Sequence, residues 1–202
     1  MLNQKKLNYA KVDEDAGYSY WLFTNELDRQ TCERIIQLGN DQWEEAKIIN
    51  IDGVAEENKN VRVTQTAWTG EQWIYDIIFM YMRKANESAG WNFAIDSAEE
   101  MQIGKYPIGG HYHFHMDGNG VRKYTAPNNE FLHDKTRKLS MSIILNDDFE
   151  GGEFEFFGDK QLINEKKGSI LIFPSYLQHR VRPVTKGTRY SLVAWFLGKP
   201  FC

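Results

Sequence analysis

The spacing of apolar positions predicts two helices and a strand in the first half of the chain. Residues 28–39 place isoleucine and leucine at helical spacing, with Asp28 as the N-cap and Gly39 as the stop. Residues 71–89 form the longest helical run. Its apolar face is expected to contain Trp73, Ile77, Met80, Tyr81 and Lys84. Residues 61–68 alternate between apolar and polar positions, which predicts a strand.

The second half of the chain changes to short runs separated by glycine and proline, and this pattern predicts strands. The predicted strands are 91–95, 100–106, 111–117, 139–146, 153–157, 162–164, 169–173, 180–184 and 189–197. Many short strands at this spacing indicate a sandwich or a jelly roll.

One predicted strand, residues 111–117, carries an unusual set of side chains. Strict alternation would place on one face His111, His113, His115 and Asp117, and toward the core Tyr112, Phe114 and Met116. Imidazole and carboxylate groups on one face suit a borderline metal ion, and His115 with Asp117 is the natural chelating pair. An exposed strand with polar side chains on one face is the alternative interpretation.

A third ligand for such a metal has two candidates. His133 lies in a polar stretch, whereas His179 follows the predicted strand 169–173, which offers a rigid scaffold. Two histidines and one carboxylate on one face of an octahedron form the facial triad of non-haem Fe(II) oxygenases.

Composition excludes several classes of protein. With 202 residues, the chain is expected to form one domain. The net charge of -4 gives no general attraction to nucleic acid or anionic lipid. No apolar run approaches the roughly 18 residues of a membrane span, and residues 1–15 show no secretory signal. Cys32 and Cys202 are too few for a disulfide framework, so a cytoplasmic, reducing compartment is expected.

Residues 106–117 resemble the prolyl 4-hydroxylase-like 2-oxoglutarate/Fe(II) dioxygenases. They match the pattern Y-x-x-G-G-x-Y-x-x-H-x-D of this family at every position. Two further blocks, residues 137–153 and 168–191, are similar to the family in the same order along the chain. The resemblance is strong over about residues 100–198, and residues 18–95 are similar in outline only.

The resemblance implies an α+β fold with a double-stranded β-helix, or jelly roll, as its core. The core is expected over about residues 96–198, with N-terminal supporting helices from about residues 18–95 packed on the major sheet. Both parts are expected to form a single domain over residues 1–202. The resemblance also implies Fe(II) as the cofactor and 2-oxoglutarate as the co-substrate, with ascorbate as an accessory reductant.

The resemblance assigns a role to each site residue. The expected iron ligands are His115, Asp117 and His179. The expected partners of 2-oxoglutarate are Arg189, which would pair with the distal carboxylate, together with Tyr106 and Ser191. The expected wall residues of the active site are Trp195 and His113. No catalytic residue is expected beyond the iron centre. Taken alone, Arg189 also fits an exposed hairpin and Tyr106 a core position, but the ordered set favours the site.

The expected activity is hydroxylation of a peptidyl residue, proline first, coupled to decarboxylation of 2-oxoglutarate to succinate and CO2. The alternative is a hydroxylase of a free amino acid or small metabolite. Nucleic-acid demethylases of the same superfamily usually carry a second arginine six residues after the first, where this chain has Trp195. A binding module without catalysis would need neither the triad nor Arg189. The expected partners are therefore O2, 2-oxoglutarate and a protein or peptide, without a membrane or nucleic acid.

A long polar segment, residues 118–138, lacks apolar periodicity and is expected to form a loop that closes over a substrate. Its candidates for substrate contact are Lys123, Tyr124 and Arg137, and a solvated loop is the alternative interpretation.

Overall fold

The computed structural model describes residues 19–49, 55–125, 129, 132–159, 162–163 and 166–201. These residues form two helices, α1 (Arg29–Leu38) and α2 (Gln72–Ser88), and sixteen strands. The strands are β1 (Trp21–Phe23), β2 (Glu44–Glu45), β3 (Ile48–Ile49), β4 (Ala55–Glu56), β5 (Arg62–Val63), β6 (Gln65–Thr69), β7 (Ser97–Ala98), β8 (Met101–Tyr106), β9 (His111–His115), β10 (Thr136–Ile144), β11 (Glu150–Gly151), β12 (Phe154–Phe156), β13 (Ile170–Pro174), β14 (His179–Val181), β15 (Val184–Lys186) and β16 (Arg189–Gly198). Cys202 and parts of the predicted loop 118–138 and strand 162–164 lie outside the described residues.

Two antiparallel sheets dominate the structure. The larger sheet has the strand order β1-β13-β10-β16-β8-β6-β2, and β7 pairs with β16. The smaller sheet has the order β12-β14-β9-β5. Neighbours in these sheets come from distant parts of the chain, as in a jelly roll rather than a series of hairpins. The prediction of a jelly roll is confirmed.

The two faces of the larger sheet pack against different partners. On β13, Ile170 and Ile172 belong to the main core cluster, which also contains buried residues of α1 and α2. The alternate residues Leu171 and Phe173 belong to a second cluster, which includes buried residues of β12 and β14 of the smaller sheet. Because side chains of a strand alternate between the two faces, the second face of the large sheet is turned toward the small sheet.

Helix α1 agrees with its prediction. Asp28 is the N-cap, and its carboxylate accepts a hydrogen bond of 2.7 Å from the backbone N–H of Thr31. Gly39 is the C-cap. Cys32 and Ile35 are buried on the inner face. Burial raises the pKa of the Cys32 thiol to about 11, so this cysteine stays protonated and unreactive at neutral pH.

The buried face of α2 differs from its prediction by one residue. The buried residues are Ile74, Ile78, Tyr81, Met82 and Ala85. These positions have the predicted spacing but begin one residue later, and only Tyr81 belongs to both sets. Met80 is half exposed and Lys84 is exposed. Residues 73–82 are almost continuously apolar, so periodicity admits both faces, and burial in the main core cluster selects one.

The corrected face of α2 predicts which substitution destabilises the fold. Ile78→Ala is expected to lower the free energy of unfolding by about 2–5 kcal/mol, because the deletion leaves a cavity at a fully buried position. Met80→Ala on the same helix is expected to change it by less than about 0.5 kcal/mol. Chemical denaturation followed by circular dichroism compares the two, and equal losses would contradict the observed face.

The predicted strand 91–95 is wrong, since these residues form no strand. Asn92 has a left-handed backbone, with φ of 51°. The side-chain amide of Asn86 donates to the Phe93 carbonyl and accepts from its N–H, each at 2.9 Å. A side chain therefore satisfies the backbone groups that a sheet neighbour would otherwise bind.

The predicted strand 61–68 is divided at Thr64, because its two parts join different sheets. β5 pairs with β9 in the smaller sheet, whereas β6 pairs with β8 in the larger one. The predicted strand 180–184 is divided in the same way into β14 and β15, which flank Pro183. No helix among the described residues is long and apolar enough to cross a membrane.

Candidate metal centre and its cavity

The histidine-rich strand β9 does not alternate strictly, because it contains a β-bulge. Tyr112 pairs with Val181 and His115 pairs with His179, so two residues of β9 lie opposite one residue of β14. The bulge turns Tyr112 and His115 toward the same cavity, where their rings stack with centroids 3.6 Å apart.

The predicted assignment of faces on this strand is therefore wrong in part. His113 is exposed, and neither it nor His111 is among the residues that line the cavity. Met116, predicted to face the core, is 48% exposed. Phe114 packs edge-on against Phe157, which is itself exposed. An extra residue in a strand reverses the alternation on one side of it, and periodicity alone does not reveal where that residue lies.

Three potential metal ligands converge beside the bulge. His115 ends β9, Asp117 follows two residues later, and His179 begins β14, where it pairs with His115. The Asp117 carboxylate has its two oxygens 3.6 Å from Nε2 of His115 and 3.6 Å from Nε2 of His179. All three ligand atoms lie within 4.8 Å of one another. His133, the other candidate for a third ligand, forms a backbone bridge with Tyr124 and lies outside this group.

Backbone carbonyl groups fix both imidazole rings. Nδ1 of His115 lies 2.8 Å from the carbonyl oxygen of His113, and Nδ1 of His179 lies 2.9 Å from that of Leu177. A carbonyl oxygen can only accept, so Nδ1 carries the proton in each ring and Nε2 keeps its lone pair. Each ring therefore directs a metal-binding nitrogen toward Asp117.

Aromatic packing keeps His179 neutral. Its ring stacks on Phe154 with centroids 5.1 Å apart and meets Phe173 edge-on at 4.7 Å. Burial lowers the pKa of His179 to about 4, despite the opposing effect of Asp117. At pH 7 the Nε2 lone pair is therefore available to a metal ion.

Asp117 remains ionised in the same surroundings. Burial opposes the charge most strongly, but His179, His115 and Arg137 together hold the pKa of the carboxyl well below its ordinary value. The site thus offers two imidazoles and one carboxylate. Since a first-row metal with bonds of about 2.1 Å sets neighbouring ligands about 3 Å apart, the donor set and the 3.6 Å separations fit such an ion.

A partly buried ion pair that the sequence does not signal lies behind Asp117. Arg137 binds both carboxylate oxygens of Glu99, at 2.7 and 2.6 Å, and donates to the backbone carbonyl of Asp117 at 3.3 Å. The hydroxyl of Tyr124 also donates to Glu99, at 2.8 Å. Glu99 and Arg137 are 38 positions apart in the sequence, so no local motif reveals this pair. It anchors Arg137 and Tyr124, two of the residues expected in a loop.

The cluster opens on a cavity of about 330 Å³ whose lining comes from both sheets. Strand β16 contributes its alternate residues, as period two predicts. These residues are Arg189, Ser191, Val193 and Trp195. Six residues of extended chain span about 20 Å, so Arg189 and Trp195 mark opposite ends of this row.

The Arg189 end of the row is closed. Arg189 is 1% exposed, and its guanidinium lies 5.2 Å from the ring centroid of Tyr106, its partner in the sheet. Ser191 and Tyr106 are buried beside it. Gly152 makes room for this side chain, because a Cβ atom there would lie 2.8 Å from Cδ of Arg189.

The Trp195 end of the row is open. Arg137 lies 4.0 Å above the Trp195 ring, and the ring of Trp68 lies 6.1 Å from it. Trp68 and Met116 line the same cavity and are 45% and 48% exposed. Trp195 therefore lies in the cavity wall, as expected for a wall residue, whereas His113 does not.

The position of His113 leads to a prediction about metal binding. His113→Ala is expected to keep metal affinity within about twofold, because the main-chain carbonyl that holds His115 remains. The fold that carries the site is also kept, since a surface substitution changes the free energy of unfolding by only about 0.5 kcal/mol. Titration with Mn(II) measures the affinity. His115→Ala, which removes one of the clustered ligands, is the comparison variant and should lose metal affinity. A large loss in His113→Ala would show that the wrong histidine has been assigned.

Comparison with known proteins agrees with this site. The model of the 2OG-Fe(II) oxygenase superfamily matches residues 101–197. A PKHD-type hydroxylase of Idiomarina loihiensis is 37% identical over 98 residues, 46% of this chain and 39% of that protein. A candidate prolyl 4-hydroxylase of Acanthamoeba polyphaga mimivirus is 24% identical over 99% of this chain and 85% of its own. The chain thus spans about two fifths of the first relative.

A solved structure shows the same fold. It is a prolyl hydroxylase from Trichoplax adhaerens, in complex with a peptide fragment of the oxygen degradation domain of hypoxia inducible factor. The TM-score is 0.66 at 17% identity, over 88% of this chain and 83% of that one.

Fold and site together define a jelly-roll protein with a two-histidine, one-carboxylate cluster inside its barrel. Its sequence is similar to the 2OG-Fe(II) oxygenase superfamily over residues 101–197, and to proteins described as PKHD-type and prolyl 4-hydroxylases. The matching superfamily is named for 2-oxoglutarate and Fe(II), which indicates these as co-substrate and cofactor.

Proposed function

We propose that the chain is an Fe(II)- and 2-oxoglutarate-dependent hydroxylase of a peptidyl residue, with proline as the first candidate. The observation that carries this proposal is the convergence of His115, Asp117 and His179 in the same cavity as Arg189. The reaction converts a C–H bond, 2-oxoglutarate and O2 into C–OH, succinate and CO2. Bound Fe(II) supplies the oxidative chemistry, and the protein supplies positioning and exclusion of water.

Three residues are proposed to hold the iron. His115 and His179 present their Nε2 atoms, and Asp117 supplies the charge that neutralises part of the cation. The carbonyl groups behind both rings keep those atoms aimed while the site is loaded. Arg137 holds the main chain of Asp117, so its proposed role is to position that ligand.

The closed end of the cavity is proposed to hold 2-oxoglutarate. The planar fork of Arg189 can bind the distal carboxylate through two parallel hydrogen bonds. The hydroxyl groups of Tyr106 and Ser191 are buried close by and can donate to the same carboxylate. Burial strengthens such charge-assisted bonds because water does not compete for them.

The open end is proposed to admit the substrate. Trp68, Trp195 and Met116 give this mouth an apolar rim that suits a proline ring. A peptide rather than a free amino acid is favoured by the peptide complex of the Trichoplax relative. Of the expected closing loop 118–138, residues 136–138 belong to β10. Closure of residues 118–125 over this mouth is part of the proposal, with Lys123 as a substrate contact.

The supporting parts of the fold extend this proposal. We infer that residues 1–202 form one catalytic domain, in which α1 and α2 brace the outer face of the large sheet. Their buried residues share a core cluster with β10, β13 and β16. Such support would hold the cavity-facing residues of β16 in place.

The proposal is tested by incubating the chain with Fe(II), 2-oxoglutarate, ascorbate and proline-containing peptides. Succinate should form, and mass spectrometry should find one added oxygen atom on the proline. Free proline and other amino acids serve as parallel substrates. Oxidation of free amino acids but not of peptides would replace the proposed substrate class with the alternative one.

A further inference from the structure

A second groove adjoins the proposed substrate mouth. Its volume is about 680 Å³, and it lies between α2, β7 and the residues Asn129 and Leu132. Its apolar lining consists of Trp68, Tyr75, Phe79, Ala98 and Leu132. The groove is thus a surface of aromatic rings, which bind the apolar parts of extended peptides well.

The groove adjoins the metal-site cavity, and the two share part of their lining. Trp68 lines both of them, and it stands beside Trp195 at the open end of the β16 row. Glu99 lines the groove, and its partner Arg137 lines the cavity. A peptide with one residue at the metal would therefore leave the cavity over Trp68 and enter this groove.

One carboxylate of the groove has no ion pair with another described residue. Asp96 pairs with Lys135 at 2.7 Å, and Glu99 pairs with Arg137 at 2.6 Å. Glu100 is exposed in the same lining, and no ion pair between described residues includes it. A carboxylate beside aromatic rings suits lysine or arginine, whose stem lies on a ring while the cation meets the charge.

We propose that this groove binds the residues that flank the hydroxylated position of a peptide substrate, and that one of them is a lysine or arginine paired with Glu100. The inference rests on the hydroxylase function proposed above and adds a specificity to it. It assigns to Glu100 a role in substrate specificity and none in the hydroxylation reaction itself.

A set of labelled peptides tests the inference. Each contains one central proline in an alanine and serine background, with one lysine that moves along the flanks. Fluorescence anisotropy measures their binding without turnover. Lysine at positions on one flank is expected to tighten binding by about tenfold, the combined effect of a cation–π contact and an exposed ion pair.

The charge-reversed variant Glu100→Lys sharpens the test. It should lose the gain from lysine and instead prefer a glutamate at the same peptide position. Glu33→Lys reverses the charge at an exposed position of α1 and should keep the wild-type preference for lysine. Glu100 is exposed, so its replacement leaves the fold intact, which circular dichroism checks.

The outcomes separate this inference from the proposed function. A lysine without effect at every position, or a lysine preference that survives in Glu100→Lys, overturns the groove proposal. If all peptides are hydroxylated equally, the result supports the hydroxylase function and rejects the role of the groove in specificity. If lysine tightens binding as predicted but no peptide is hydroxylated, the result supports peptide binding in the groove and rejects the proposed hydroxylase function.

Discussion

Asp117→Ala is expected to abolish metal binding and, with it, the formation of succinate from 2-oxoglutarate. The substitution removes the only anionic ligand of the cluster, whose oxygens face both histidine Nε2 atoms at 3.6 Å. Loss of a group that merely orients a ligand costs about 10–100-fold in metal affinity, so loss of a ligand should exceed a hundredfold. Titration with Mn(II) and a succinate assay measure the two losses.

A control variant shows whether the loss of metal binding is specific to the site. Asp76→Ala removes an exposed carboxylate from α2 and should leave both metal affinity and succinate formation unchanged. Circular dichroism should show the same fold in both variants. Metal affinity of wild-type strength in Asp117→Ala would mean that the ion binds elsewhere.

Arg189→Lys is expected to raise the concentration of 2-oxoglutarate needed for half-maximal activity by about tenfold or more. Lysine keeps the charge but replaces a planar fork with a point donor, which removes one of two charge-assisted hydrogen bonds. Such a bond contributes about 1.5–3 kcal/mol, and about 1.4 kcal/mol corresponds to a factor of ten in affinity.

The same substitution should leave metal affinity nearly unchanged, because Arg189 is not one of the clustered ligands. Arg182→Lys, at a half-exposed position on the smaller sheet's side of the molecule, is the control. It should show wild-type dependence on 2-oxoglutarate. Unchanged dependence in Arg189→Lys would contradict the proposed carboxylate site.

The sequence predicts most of the strands because turn residues divide them and alternation marks their faces. Strand β16 is the clearest example: Arg189, Ser191 and Trp195 line the cavity, as period two requires. Helix α1 was equally predictable, since Asp28 and Gly39 bound a short apolar run.

The sequence does not predict the structure correctly where the backbone or side-chain geometry depends on contacts between distant parts of the chain. The bulge in β9 is defined by its pairing with β14, so alternation misplaces His113. The division of the strand at Thr64 reflects two sheets that compete for one segment. The ion pair of Glu99 with Arg137 joins residues that no local spacing relates.

The candidate site was predictable for a different reason. His115 and Asp117 are two positions apart on the chain, whereas the choice of His179 over His133 and the role of Arg189 rest on the resemblance to a family. The surroundings of these residues, such as Phe154 against His179 and Gly152 against Arg189, require the packed structure.

The central claim is that His115, Asp117 and His179 hold Fe(II) beside an Arg189 that binds 2-oxoglutarate. Visible absorption spectroscopy under anaerobic conditions tests it most directly, because chelation of Fe(II) by a 2-oxo acid produces a charge-transfer band. The wild-type protein with Fe(II) should develop this band when 2-oxoglutarate is added, Arg189→Lys should need more 2-oxoglutarate, and Asp117→Ala should show no band. A wild-type protein without the band, or an Asp117→Ala variant that keeps it, would contradict the account.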